Sequence, residues 1–362
     1  MTAAEERLIR AFELQADSCA QFGSNLYAGL MDAVAADIRA GGAEGSLAAV
    51  LAGHDIDPGP SALALRLFGA VHRIVLDGRA SELAEWYPSA GGAVEPSRDG
   101  GRKAWPAFRA VVDAHRAELR AAIGQTPQTN EPGRAAVLIG GLLHLLARQH
   151  RTLPLRLWEI GASAGVNLRA DHACVVDGDV VVWGDEASPF RLVDAWTGPN
   201  PPLYPTIEIS ERRGCDLSPI DPTTAEGRLR LLSYVWADAT TRFHRLEGAL
   251  EVAARVPATV EQADAVEFVG RLHPEPGTLT VLWHSIMWQY LSRDDREACA
   301  SAIVRAGSEA TAGAPFAHLA FEPRRLAPEE RDRFVVALTE WPGGHETLLG
   351  EAHPHGTPVQ WL

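Results

Sequence analysis

Along the first 150 positions of this 362-residue chain, apolar residues recur at spacings of three and four, the period of one helical face. Leu8, Phe12 and Cys19 mark one stripe, and Ala64, Leu67, Phe68, Val71, Ile74 and Val75 a clearer one. Residues 105–123 continue the pattern, with Pro106 in a first turn where its missing N–H costs nothing. Residues 135–147 are apolar nearly all round, which predicts a helix buried on every side. Glycine pairs at 41–42, 91–92 and 100–101 punctuate these helices.

The period changes at Pro154. Leu155-Arg-Leu-Trp-Glu-Ile160 is a short β-compatible run, closed by Gly161-Ala-Ser-Ala-Gly165 and followed by a helix-compatible stretch from Val166. Cys174-Val-Val and Val180-Val-Val-Trp183, with Asp177-Gly178 between them, read as a hairpin. A proline-rich stretch at 198–205 leads into a strand at 206–210, and a long helical region follows at 223–255. Further strands are expected around Val260, at 278–283 and at 316–321, with helices at 294–306, capped by Ser292, and at 328–341. The tail at 346–350 and 357–362, around His353-Pro-His-Gly356, reads as a second hairpin.

Strands alternating with helices build a parallel sheet through crossovers, and an antiparallel ending separates Rossmann-like methyltransferases from plain dinucleotide-binding domains. The expected fold is α/β. An all-helical N-terminal domain, residues 1–150, serves as lid or substrate domain and closes over the carboxyl edge of the sheet. A Rossmann-like class I methyltransferase domain, residues 151–362, carries a hairpin insertion near 170–205 and a C-terminal antiparallel hairpin.

Composition narrows the partners. Apolar residues make up 46% and charged residues 22%, an ordinary globular balance, and the length suits two domains. A formal net charge of −14 with no basic stripe argues against nucleic acid and leaves small molecules or a protein surface as partners, with a small-molecule substrate expected. Cys19, Cys174, Cys215 and Cys299 are scattered singly, which argues against a zinc site and for a reducing compartment. The opening Met1-Thr-Ala-Ala-Glu-Glu is acidic where a signal peptide is basic, and no apolar run reaches membrane-spanning length. The expectation is a cytoplasmic protein with no membrane partner and no metal.

Glu159-Ile-Gly161-Ala162-Ser163-Ala-Gly165 carries the first chemistry. Glycine is needed where the backbone turns sharply and comes close to a ligand, so Gly161, Ala162, Ser163 and Gly165, with Asn167 just beyond, are candidates to hold S-adenosylmethionine. Their backbone N–H groups would face its carboxylate, while Glu159 organises the loop or the ligand's amine. A purely structural turn is the alternative. The same residues also spell the G-x-S-x-G elbow of an α/β-hydrolase, with Ser163 as nucleophile and a histidine such as His353 in the triad. An elbow follows several earlier strands, however, and here helices precede it.

Asp216, next to Leu217, suits the ribose hydroxyls, in competition with a helix-capping role that Asp221 also fits. Asp264 and Ala265 suit adenine, against a surface N-cap. His284, at the end of the fourth strand, is a candidate general base and cofactor contact, against a satisfied core histidine. Tyr290 or Gln289 would orient the acceptor, Trp288 would stack on adenine or substrate, and Glu322, ending the fifth strand, is a second candidate base. The polar run at 129–134 places Asn130, Glu131 and Arg134 over the ligand's amino-acid end. His353 and His355 are read as turn residues rather than metal ligands.

Gln128-Thr-Asn-Glu, Glu159-Ile-Gly-Ala-Ser-Ala-Gly-Val-Asn-Leu168, Glu211-Arg-Arg-Gly-Cys-Asp216, Gly227-Arg-Leu-Arg-Leu-Leu-Ser-Tyr-Val-Trp236, Trp283-His-Ser and His353-Pro-His-Gly356 form a specific set spread over essentially the whole chain. Together they resemble an uncharacterised bacterial family, domain of unknown function 2332. The resemblance implies a methyltransferase-like fold and brings no established substrate. Glu159, Gly161, Gly165, Asp216 and His284 sit within its motifs. Ser163 stands where ordinary methyltransferases carry a middle glycine, and the insertion before the second strand is unusual. The expected function is an S-adenosylmethionine-dependent methyltransferase acting on a small molecule, with His284 or Glu322 deprotonating the acceptor where it needs it. The alternatives are a non-catalytic ligand-binding or regulatory protein on the same fold, and an α/β-hydrolase using Ser163.

Overall fold

The stripe through Phe12 and Cys19 lies on helix Ala3–Gln21, which starts at a reciprocal cap between Thr2 and Glu5. The clearer stripe is buried along helix Leu63–Leu76. Residues 105–123 form two helices, Trp105–Ala114 and Arg116–Ala122. A computed structural model describes residues 2–362 apart from 42–44, 57, 60, 126, 128–129, 150–152, 204, 328 and 330. Gly42, Gln128, Thr129 and Pro328 of the sequence reading therefore lie outside the described residues.

Met1–Thr129 and Ala225–His244 form one compact unit; Asn130–Thr224 and Arg245–Leu362 form another. This division differs from a boundary at 150 in two ways, each with a packing reason. Helix Ala135–Ala147 belongs with the sheet, because Gly140 and Gly141 leave room where Trp361 and Leu319 press against it. The expected long helix at 223–255 is two helices, Ala225–Ser233 and Thr240–Ala253. The residues between them join the helical unit: Trp236 and Ala237 enter its core, and Asp238 accepts from Leu26 N at 3.0 Å and from the Ser24 hydroxyl. That carboxylate serves the start of helix Asn25–Arg39, where backbone donors have no partner within the helix.

The second unit holds strands β1 (Leu155–Ile160), β2 (Cys174–Asp177), β3 (Val180–Gly184), β4 (Arg191–Val193), β5 (Trp196–Thr197), β6 (Ile209–Asp216), β7 (Thr259–Gln262), β8 (Leu279–Ser285), β9 (Phe316–Arg324), β10 (Arg333–Trp341), β11 (His345–Ala352) and β12 (Val359–Trp361). Nine of them form one sheet in the order β5-β12-β11-β10-β9-β8-β1-β6-β7, and β3-β2-β4 form a small second sheet. Strands β7, β6, β1, β8 and β9 are parallel. The protein is thus a mixed α/β chain with a large, mostly parallel sheet and a helical N-terminal part. No helix among the described residues is long and apolar enough to cross a membrane.

Three sequence expectations are corrected. Within the segment expected as a helix at 328–341, Arg333–Trp341 forms strand β10. Its apolar residues fit either period, but Val335 and Val336 favour extended backbone, and β9 and β11 hydrogen-bond it on both sides. The chain therefore ends in an antiparallel meander from β9 to β12, whose last pair, β11 with β12, is the expected C-terminal hairpin. The second parallel strand begins at Ile209 and runs through the charged Glu211-Arg-Arg213. Ion pairs of Arg212 with Asp171 and Arg213 with Glu261 make that polar stretch compatible with the sheet. After Val166 there is only a short 3₁₀ stretch, Asn167–His172, because the Arg169 side chain folds back onto the carbonyls of Ala164 and Gly165.

Candidate functional site

In the parallel half of the sheet the chain reverses its direction of travel between β1 and β8, and in open α/β sheets ligands bind at the carboxyl ends of strands at such a point. The glycine turn lies there. Gly161 and Gly165 have φ of 70° and 66°, and Ser163 has φ of 53°, so the turn uses left-handed backbone that favours glycine at two of its three corners.

Every backbone donor from Ala162 to Val166 is already used within the chain. Ala162 N donates to Cys215 O at 2.9 Å and Gly165 N to Ala162 O at 2.7 Å. Ser163 N donates to Asp216 Oδ2 at 2.9 Å. Ala164 N and Val166 N both donate to Oδ1 of buried Asn130, at 3.1 and 3.0 Å. The expected role of these amides, facing a ligand carboxylate, is not what the turn presents. Asp216 and Asn130 hold the loop, and Asp216 also accepts from Ser218 N at 2.9 Å. Above Gly161 lies Met287, 3.1 Å from where a β-carbon would stand.

Side chains alternate across a strand, which divides the remaining candidates between the two faces. Glu159, its register neighbour Trp283 and then Leu319 share the face against helix Ala135–Ala147. Glu159 is 2% exposed, and burial pushes its pKa up to about 8, opposed in part by the Trp283 indole beside it and by Arg134 and Arg169. Glu159 Oε2, Trp283 Nε1 and Asn167 Oδ1 are buried without a hydrogen-bond partner among the described residues. Arg134 donates to Pro354 O at 3.2 Å and Ser285 O at 3.1 Å, tying the 353–356 turn to the end of β8. Glu131 caps Gly133 and lies 3.7 Å from Arg245.

His284 lies on the opposite face, with Trp158 and Leu282. Both of its ring nitrogens are engaged. Nδ1 pairs with Glu322 Oε1 at 2.7 Å, and Nε2 with His318 Nε2 at 2.9 Å, one ring donating to the other. Glu322 Oε1 also accepts from Met287 N at 3.0 Å and Trp288 N at 3.2 Å, and the Trp288 ring stacks on His284 at 4.9 Å. Ile286, at φ 50°, makes the turn that points these two amides at Glu322, an unusual backbone for a β-branched residue. His318 was not among the sequence candidates, although a histidine inside the apolar run Phe316-Ala-His-Leu-Ala-Phe321 was a usable signal. Burial and neighbouring His284 hold its pKa well below the ordinary histidine value.

The other candidates stay apart from both groups. Tyr290 and Leu217 are 79% and 73% exposed. Asp264 caps helix Ala265–Gly270 by accepting from Glu267 N, and Ala265 packs in the core behind β1. His353 Nδ1 accepts from His355 N at 3.2 Å, so the nitrogen that a triad carboxylate would orient is taken. No group of three or more potential ligands able to hold a metal ion occurs among the described residues.

A family model described as an uncharacterized protein conserved in bacteria, domain of unknown function 2332, matches residues 9–361. The chain belongs to this family. No curated protein matches it. Within this member of domain of unknown function 2332, the candidate site is two buried polar groups on opposite faces of the sheet at the ends of β1 and β8: Glu159 with Trp283 and Arg134, and His284 with Glu322 and His318.

Proposed function

We propose that the chain is an S-adenosylmethionine-dependent methyltransferase acting on a small molecule, on a Rossmann-like methyltransferase sheet. The observation that carries this reading is buried Glu159, with one unpartnered oxygen, near Arg134 at the end of β1, where the strand order reverses. A buried carboxyl oxygen without a hydrogen-bond partner costs stability, and such a group suits a cation. The amino-acid end of S-adenosylmethionine offers an ammonium for Glu159 and a carboxylate for Arg134. Trp283 Nε1, the register neighbour of Glu159, adds a buried donor. The cofactor, when bound, supplies a methyl group on a positively charged sulfur.

Asn130 and Asp216 keep the turn in shape, and Met287 must leave Gly161 for a ligand to approach the turn. His284 is a positioning residue in this reading: with both nitrogens engaged it holds Glu322, which in turn holds the 286–288 backbone. A second reading, ligand binding without turnover, is favoured by the fully satisfied amides of the turn. Calorimetry with S-adenosylmethionine and S-adenosylhomocysteine tests both. Saturable heat for both ligands, lost in Glu159→Gln, is expected. Binding without methyl transfer across an acceptor panel favours the second reading, and no heat with either nucleoside rejects both.

A further inference from the structure

Among its described residues the sheet unit holds three deeply buried arginines, and two of them have carboxylate partners. Arg156 pairs with Glu211 at 2.7 Å and Glu275 at 3.0 Å, and Arg245 lies 3.7 Å from Glu131. Arg169, 3% exposed, has none within ion-pair distance among the described residues. Its guanidinium donates only to neutral carbonyls: Nε to Val256 O at 2.8 Å, and Nη1 to Gly165 O at 2.7 Å and Ala164 O at 3.3 Å. A desolvated cation without an ion-pair partner is costly, and proteins place one where an anion will meet it. Burial and nearby Arg212 bring Arg169 down to about 10, opposed in part by the charges of Glu159 and Asp221.

Arg169 lines a cleft of about 560 Å³ between the loop after β6 and the segment leading into β7. Its walls mix apolar residues, among them Ile220, Pro222, Ala253, Ala258 and Val260, with Thr223 and Arg255. Asp221, also in the lining, accepts from Thr223 N and Oγ1 through Oδ1, and its charge acts on Arg169 from beyond ion-pair distance. A cleft of this size suits a small ligand, and a buried cation in its wall favours an anionic one.

We infer that this cleft, on the far side of the glycine turn from Met287, is a second binding site for a small molecule carrying an oxyanion, carboxylate or phosphate monoester, on an apolar body. The oxyanion would take Arg169 in a charge-assisted contact, and the apolar body would lie against Pro222, Ala258 and Val260. The site takes no contact from Glu159 or Arg134, and although the charge of Arg169 also acts on Glu159, its occupancy is read separately from that of the proposed methyltransferase site.

Calorimetry of the full chain with hexanoate, hexyl phosphate and hexylamine tests the inference. Saturable binding of at least one of the two anions at millimolar concentration is expected, with none for the amine, and the tighter anion names the oxyanion class. Arg169→Gln should weaken that binding by about tenfold or more. Ala254→Trp, at an exposed wall position, should block the cleft while leaving the far-ultraviolet circular dichroism and any S-adenosylhomocysteine heat unchanged. Because Arg169 also braces the turn, Ala254→Trp decides the matter if Arg169→Gln fails to fold. Absence of saturable heat with both anions, or undiminished binding in Ala254→Trp, overturns the inference.

Discussion

Replacing Glu159 by glutamine should make this protein more stable at neutral pH, although the residue sits at the centre of the proposed site. The carboxyl has an ordinary value of 4.5 and is raised to about 8 by burial in the folded chain. Between those values the folded state keeps a proton that the unfolded chain has released. Unfolding therefore releases a proton, and stability falls as pH rises through this window, levelling off below 4.5 and above 8. At pH 7 the window has been crossed by about two and a half pH units at about 1.4 kcal/mol each, a penalty of about 3 kcal/mol. Glutamine keeps the shape and removes the proton equilibrium. Urea unfolding followed by tryptophan fluorescence, with Trp158 and Trp283 flanking the site, should show Glu159→Gln more stable than the parent by about 3 kcal/mol at pH 7 and nearly equal to it near pH 4.5. A constant difference across that range would refute the reasoning, because it would mean that Glu159 is ionised in the folded chain at neutral pH. Saturating S-adenosylhomocysteine should shrink the parent's pH dependence, since an ammonium beside Glu159 favours its ionised form.

Asn130→Ala leaves the amides of Ala164 and Val166 without their acceptor and should cost about 2–5 kcal/mol in urea unfolding, with much of it recovered in Asn130→Asp; a loss below about 1 kcal/mol would show that water replaces the side chain. Gly161→Ala meets both a φ of 70° and Met287 at 3.1 Å, and should cost about 1–3 kcal/mol by the same assay, with the larger values if Met287 cannot shift. Native thiols should resist iodoacetamide at pH 8, since burial raises Cys19 and Cys215 to about 12 and Cys299 to about 11, and mass spectrometry should find all four cysteines alkylated only after unfolding. Rapid native labelling at any of those three would contradict their burial.

Consecutive residues alone were enough to place the N-terminal helices, the turn after Ile160, the hairpin of β2 and β3, and Ser292 as a cap. Each depends on local matters: a repeating apolar spacing, a positive φ at Gly161 and Gly165, and a side-chain oxygen three residues before an amide. The same local logic failed at 328–341, where the apolar spacing suits two periods and only hydrogen bonds from β9 and β11 choose between them. It also left open whether Asp264 caps a helix or binds a ligand, and the structure shows it capping.

What only the tertiary structure decided is which polar atoms find partners. His284 meets Glu322 and His318 across 38 and 34 residues of chain, and the turn's amides are taken by Asn130 and Asp216 across 34 and 53. Adjacent positions 283 and 284 fall on opposite faces of one strand, so two residues that read as one motif serve two different buried groups. A periodicity is written in neighbouring residues. A hydrogen-bond partner, and the burial that moves Glu159 from an ordinary carboxylate to a proton-holding one, exist only once distant segments pack together.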